Sequence, residues 1–405
     1  MASERTARPR TPASPQSNNG KRTRPRLFNL STGFDMHFFV LLMIILIVGL
    51  ATLYSASHVY AFNHNDGDSY YYIMRQGIFA ALGFVAMLLI STVDYHILHR
   101  FAWLLWIVSI GMLILPLVMP SPTGIRRWIH IGSFTFQPSE IAKFALVLLF
   151  AHYISLNHKK MKKLTTGFIF PMVPLAITCV LVLAEPHLSG TLLIGILGFA
   201  MLYVGGTRWW YLLLVLGAGA AVVVGMVMIL GYEQDRIAVW LHPLESFANE
   251  IEFADGVSGR DHAWQTVQSL YAIGSGGLLG QGPGNSRQKH LFLPEPQNDF
   301  IFSVFCEEMG FVGAVLVLLL FALLMWRGFK IAMKAPDKFG CMLALGLTLQ
   351  IGIQVAINVA VVSNLLPNTG ISLPFFSYGG TSILMLMAQM GVVLSISRQS
   401  RMEKL

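Results

Sequence analysis

The chain has 405 residues, 55% of them hydrophobic and only 12% charged, with a mean hydropathy of +0.62. This composition excludes an ordinary soluble domain and predicts several membrane-crossing segments. The formal net charge of +8 does not point to nucleic acid, because no nucleic-acid motif is present and its Lys and Arg residues sort by loop, as an orientation signal does.

Residues 1–35 are polar, basic and rich in Pro and Ser. They read as a disordered cytoplasmic tail. The apolar run that follows has full span length and is expected to stay as an anchor rather than be cleaved. With about 20 apolar residues needed to cross a bilayer, ten spans are expected, near 36–58, 75–92, 101–119, 139–156, 167–184, 190–206, 209–231, 300–326, 339–363 and 374–396. The fold class is therefore an all-α polytopic membrane protein, with a ten-helix domain over 36–398 and a cytoplasmic tail at 399–405. The span at 190–206 is short and follows its neighbour after only "EPHLSG".

A cytoplasmic N-terminus puts 20 of the 28 Lys and Arg residues on inner segments. Seven fall on outer ones: Arg75, Arg126, Arg127, Arg236, Arg260, Arg287 and Lys289. Both termini are then cytoplasmic. The one large outer segment is 232–298, and the polar motifs cluster there and in 120–138 and 364–373. Chemistry is expected on the outer face, where no ATP pool exists, so energy must arrive in the substrate or as an ion gradient. The glycine run "IGSGGLLGQGPG" (273–284) lacks the Gly-Lys-Ser/Thr ending of a phosphate loop. It reads as a flexible turn or as a backbone that a phosphate or sugar can approach. Before it, Ala263, Trp264, Val267, Leu270 and Tyr271 recur at helical spacing and predict an amphipathic helix along the membrane surface or over the top of the bundle. Cys179, Cys306 and Cys341 read as buried thiols. No metal-ligand spacing is present, and His96 and His99 have no further ligand beside them.

Ionisable residues within spans are few: Glu140, Lys143, Glu307 and Glu308, with Glu185 and Asp299 at span ends. Each is a functional candidate because an unpaired charge in lipid is costly. Glu140 and Lys143 share a helix face at i, i+3, and a Lys143–Asp299 contact is geometrically open. Asp299 alone reads as a helix N-cap or as a functional carboxylate. Glu307 and Glu308 lie roughly 12 Å deeper along the helix and read as helix pairing or as a substrate path.

The motifs "FQPSEIAK", "AIGSGGLLGQG", "FLPEPQNDFIFSVFCEEMG" and "PNTGISLPFFSYGGTS", in this order among the expected spans, resemble the SEDS family (shape, elongation, division and sporulation). The similarity runs from about residue 36 to 398. The last motif with "LMAQMGVVLSISRQSR" is closer to the FtsW and sporulation branch than to the RodA branch. Two departures stand out. Gln297-Asn298 precedes the aspartate where the family often has His-Thr or Gln-Thr, and "EPHLSGT" (185–191) stands where relatives often have Gln-Pro-Asp.

The resemblance implies a peptidoglycan glycosyltransferase that polymerises lipid II at the outer face of the bacterial cytoplasmic membrane, working at the septum with a class B penicillin-binding transpeptidase and other division proteins. It implies Asp299 as the catalytic carboxylate, with Lys143 close to it and Glu140 nearby. Asp299 is expected to act as base on the acceptor hydroxyl, and cations to meet the departing undecaprenyl diphosphate. Arg126 and Arg127 lead that set, with Arg236, Arg260, Arg287 and Lys289 behind them. Gln268, Gly276, Gly277, Glu295, Ser377, Tyr378 and Gly379 are further substrate-binding candidates. No cofactor is implied with certainty. A divalent cation (Mg or Mn) could assist, without an identifiable ligand set. The alternatives are a lipid II flippase, a RodA-type elongation polymerase, or a scaffold for the transpeptidase.

Overall fold

The computed structural model describes residues 33–119, 127–131, 134–185, 187–215, 217, 219, 225, 234–248 and 259–402. The tail at 1–32 and Arg126 lie outside the described residues. The long helices are α1 (Met36–His64), α2 (Tyr71–Thr92), α3 (His96–Val118), α4 (Pro138–Asn157), α5 (Phe170–Ala184) and α6 (Leu188–Val204). Short helices α7 (Gln234–Leu241) and α8 (Pro243–Ala248) lead to α9 (Gly259–Gly276), then to α10 (Ile301–Met333), α11 (Lys338–Val362) and α12 (Gly380–Met402). Among the described residues the strands form one hairpin, β1 (Ile129–Ile131) and β2 (Phe134–Phe136), with Ile129 opposite Phe136.

Eight described helices are long and apolar enough to cross a membrane, and α6 is apolar but only 17 residues long. The protein is a multi-pass membrane protein. The described residues do not bear out a count of ten, because the segment expected at 209–231 falls largely outside them. The last span also starts later than the sequence suggests, at Gly380 rather than 374.

Burial separates core helices from lipid-facing ones. Two-thirds of the apolar window is buried in α4, α11 and α12, against 22% in α2 and α3. The outer ring turns residues such as Leu82, Val85 and Ile107 outward, as lipid contact requires.

One end of the bundle is tied by a polar network. Asp35 caps α1 by accepting from Phe38 N–H at 3.0 Å. Its carboxylate pairs with Arg327 of α10 at 3.0 Å, and Ser397 of α12 accepts from its backbone N–H. Asp94 accepts from Gln399 at 2.8 Å, and Asp337, the cap of α11, accepts from the Tyr95 hydroxyl. Five helices are thereby locked at one face.

Towards the other end α10 breaks at Gly310, where φ is 66° and ψ −170°. The broken ladder is repaired from outside. The N–H groups of Gln281 and Gly282 donate to the carbonyls of Glu307 and Glu308, both at 3.0 Å. Phe311 and Val312 N–H donate to the carbonyls of Gly277 and Leu278 at 2.9 and 3.1 Å. The glycine run is thus a joint against α10. A side chain at Gly280 would strike the Glu308 carbonyl.

Candidate active site

At the opposite end from the polar network a cavity of about 650 Å³ opens between the ends of α2, α4, α6 and α12, the β-hairpin and the loop before α10. Asp299 lines it. The N-cap of α10 is Phe300, so the capping alternative for Asp299 is set aside. Its loop is shaped by Glu295, whose φ of 45° is left-handed and whose carbonyl accepts from Asn298 N–H at 3.0 Å. Asn358 on buried α11 donates to the carbonyls of Asp299 (2.8 Å) and Ile371 (2.6 Å), joining the aspartate loop to the segment before α12. Gly370, at φ 68°, lies against the carboxylate, and a Cβ there would stand 3.0 Å from Asp299 Oδ2. Both the backbone angle and the close approach require glycine.

Lys143 and Glu140 rise from the first turns of α4 into the same cavity. They pair with each other at 2.7 Å, both buried. The expected Lys143–Asp299 ion pair is not formed. Lys143 sits at i+3 on the face of Glu140 and satisfies its charge there, so it reaches the cavity without reaching the aspartate.

Arg127 is the cation that acts on Asp299. Burial lifts the Asp299 carboxyl to about 6, Arg127 pulls against that lift, and Glu295 adds to it. Arg127 Nε is buried with no hydrogen-bond partner among the described residues. On the far wall Arg75 stands over the Tyr71 ring at 4.1 Å beside Tyr378, which packs edge-on to Tyr72 at 4.8 Å. Gln76 clamps the turn below, donating to Ser377 O at 3.2 Å and accepting from Gly379 N–H at 3.1 Å. His187, Ser189 and Gly190 of the α6 entry close the remaining side.

The structure brings together Asp299, Lys143, Glu140, Arg127, Glu295, Tyr378 and Gly379. Other candidates lie elsewhere. Gln268 is buried on α9 away from the cavity. Gly276 packs on the α10 backbone at Cys306, and Gly277 serves the joint. Ser377 is buried under its turn, accepting from Leu373 N–H at 2.8 Å. Lys289 is fully buried against Glu308, Arg260 lies over Phe247 and Trp264, Arg287 is exposed outside the cavity, and the side chain of Arg236 is outside the described residues.

Glu307 and Glu308 do not line the cavity, and their partners come chiefly from the loop at 277–300 rather than from neighbouring helices. Glu307 accepts from the Ser286 hydroxyl, from Arg287 N–H at 3.0 Å and from Gln288 N–H at 3.3 Å. Glu308 pairs with Lys289 at 3.0 Å and accepts from Ser55 of α1 at 2.6 Å. The loop dips into the bundle to meet them.

Arg75, Gln76 and His187 were not singled out from sequence. The Arg-Gln pair opening α2 and the departure at "EPHLSGT" were the only signals of them. Glu185, in that same stretch, is fully buried with no hydrogen-bond partner for either oxygen among the described residues, and burial raises its carboxyl to about 8. Among the described residues no group of three or more His, Cys, Asp or Glu is placed to hold a metal.

A carboxyl poised near neutrality, three cations and a cavity at one end of the bundle with apolar Ile78, Phe79 and Leu193 in its wall suit general-base chemistry on an amphiphilic anion. Comparison with known proteins fits this chemistry. Residues 35–402 match the family FTSW_RODA_SPOVE, described as "Cell cycle protein". The chain is 38% identical to stage V sporulation protein E of Bacillus subtilis (strain 168), covering 91% of this chain and 98% of that protein. It is 35% identical to a probable peptidoglycan glycosyltransferase FtsW of Geobacter sp. (strain M18), with the same coverage. Among solved structures it resembles the rod shape determining protein RodA of Thermus thermophilus (TM-score 0.64, 27% identity, 90% of this chain and 97% of that one). It also resembles a chain from a structure titled "Structural coordination of polymerization and crosslinking by a peptidoglycan synthase complex" (TM-score 0.73, 28% identity, 90% and 98%).

Proposed function

This chain belongs to the FtsW/RodA/SpoVE family of cell cycle proteins, and from that premise we propose how it works as a peptidoglycan glycosyltransferase. Its substrate is lipid II, as donor and as acceptor, and it acts at the outer face of the cytoplasmic membrane in division or sporulation. Asp299 takes the proton of the acceptor sugar hydroxyl. The hydroxyl oxygen bonds to the donor anomeric carbon with inversion, and the bond to undecaprenyl diphosphate breaks with its electrons on the diphosphate. No ATP is needed because that diphosphate is already an activated leaving group. Arg127, with Lys143 and Arg75 on the surrounding walls, offsets its charge. Glu140 holds Lys143 in place. No step in this scheme requires Mg2+ or Mn2+.

The observation that carries this reading is Asp299 beside Arg127 in a cavity at one end of the bundle, with its carboxyl lifted to about 6 by burial. The termini are proposed to be cytoplasmic and the site of action the septum. A class B penicillin-binding transpeptidase is the proposed partner, supported by the resemblance to a chain of a peptidoglycan synthase complex. The test is lipid II polymerisation by purified protein in detergent, which leaves no membrane to cross and so excludes a flippase as the source of product. Asp299→Asn should lose at least about a hundredfold in rate. Polymer formation by that variant near the wild-type rate would overturn the base assignment.

A further inference from the structure

His187 is the cavity residue that the scheme above leaves without a task. It is the residue just before α6, and its ring is fixed by the helix it precedes. A Cβ on Gly190 would meet His187 Nδ1 at 2.6 Å and Cε1 at 2.7 Å. The Nδ1–Cε1 edge therefore lies against the first turn of α6, and the opposite edge faces away from that turn. The Nδ1 atom also faces Gln137 Nε2 and Ser139 Oγ, each at 3.5 Å. Gln137 Nε2 and the Ser139 hydroxyl can both donate to Nδ1, so Nδ1 is assigned as the acceptor and the ring proton of the neutral form to Nε2. Among the described residues Nε2 has no hydrogen-bond partner, and it is not among the buried unbonded atoms. It is a spare donor in the wall of the cavity.

The ring is held neutral. Burial, then Arg127, then Lys143, all disfavour a proton, and they bring the imidazole down to about 3. Those two cations are also what an anion entering the cavity would meet. A neutral imidazole N–H can polarise an oxygen without itself giving up a proton, provided its donor is aimed and unengaged. The charge near it is Arg127, Lys143 and its partner Glu140, with Asp299 lining the same cavity.

We propose that His187 is a substrate-contacting residue that donates its Nε2–H to a phosphoryl oxygen of the departing diphosphate, alongside Arg127 and Lys143. This rests on the glycosyltransferase reading above. No proton leaves His187 in the step, so it adds one aimed hydrogen bond and no titration of its own.

The test uses the full-length protein in detergent and two readouts. The first is binding of farnesyl diphosphate to the Asp299→Asn variant, measured by calorimetry. The second is lipid II polymerisation in the otherwise wild-type chain. His187→Ala should weaken farnesyl diphosphate binding by at least about tenfold, the usual worth of a hydrogen bond to a charged acceptor, and lower polymerisation by a similar factor. His187→Gln can place an amide N–H near the position of Nε2 and should recover most of both. Unchanged farnesyl diphosphate binding in His187→Ala would overturn the proposal. So would equal losses in the Ala and Gln variants accompanied by a lowered melting temperature, since that is how a purely packing role behaves. If the wild-type chain failed to polymerise lipid II, the glycosyltransferase reading would fall, while the binding measurement would still judge His187.

Discussion

Asp299 can act as a base only when ionised, and its carboxyl near 6 makes activity rise with pH across the acid range. About a tenth of the enzyme is competent at pH 5 and about nine-tenths at pH 7. The sign of each neighbour's effect is set by its charge. Glu295→Gln removes a charge that raises the Asp299 carboxyl, so the rising limb of kcat/KM should move to lower pH. Arg127→Gln removes one that lowers it, so the limb should move to higher pH while the plateau also falls. A pH–rate series on the three enzymes checks this, and a limb that moves upward in Glu295→Gln would contradict the assignment. Asp299 and the Glu140/Lys143 pair were legible in sequence because each lies in a motif, and the pair at helical spacing. What the sequence left open was whether Lys143 would pair with Glu140 or with Asp299; i, i+3 proximity within α4 competes with a contact across helices, and the local contact wins. Arg75 and His187 reach the cavity from α2 and α6, more than 100 residues apart in the chain. Only packing brings them together.

At the scale of elements, the broken α10 and the loop that repairs it behave as one unit. The sequence foretold an apolar helix with two deep carboxylates, and it foretold a glycine run. It did not show that each completes the other, since the joint is built from backbone N–H and carbonyl groups that carry no side-chain pattern. The carboxylates then serve the loop. Lys289 is fully buried, with its ammonium on Glu308 at 3.0 Å and on Ser55 at 3.2 Å. Removing one member of a buried pair strands the other charge, at a cost of about 3–5 kcal/mol, whereas replacing both is far milder. Lys289→Met should therefore lower the melting temperature in detergent strongly, and Lys289→Met with Glu308→Leu should lower it less than the single change does. A double variant less stable than Lys289→Met would show that the pair does not couple this loop to α10.

For the whole molecule, hydropathy made the multi-pass architecture readable, and the sorting of Lys and Arg made an orientation readable. The short α6 marks where that reading weakens, because burial inside a bundle and contact with lipid select the same apolar residues. The structure shows which groups share an end of the bundle. Asp35, Asp94, Arg327, Asp337 and Ser397 bind one another's helices at one end of the bundle, and the Asp299 cavity lies at the other. The 20 residues of α4 span about 30 Å at 1.5 Å per residue, roughly one bilayer core, from the cavity end at Glu140 to Asn157, with Lys159 and Lys160 in the turn that follows. If the cavity faces outward, the basic turn after α4 and the tail before Asp35 must face the cytoplasm. Single cysteines placed in a chain lacking Cys179, Cys306 and Cys341 test this. With a membrane-impermeant maleimide on spheroplasts, Asn285→Cys should label directly, while Ser14→Cys and Lys160→Cys should label only after permeabilisation. Direct labelling of Ser14→Cys or Lys160→Cys would place the basic face outside, and with it the cavity on the side where ATP and not lipid-linked donor is abundant, which would undo the energetic argument for the reaction as well as the topology.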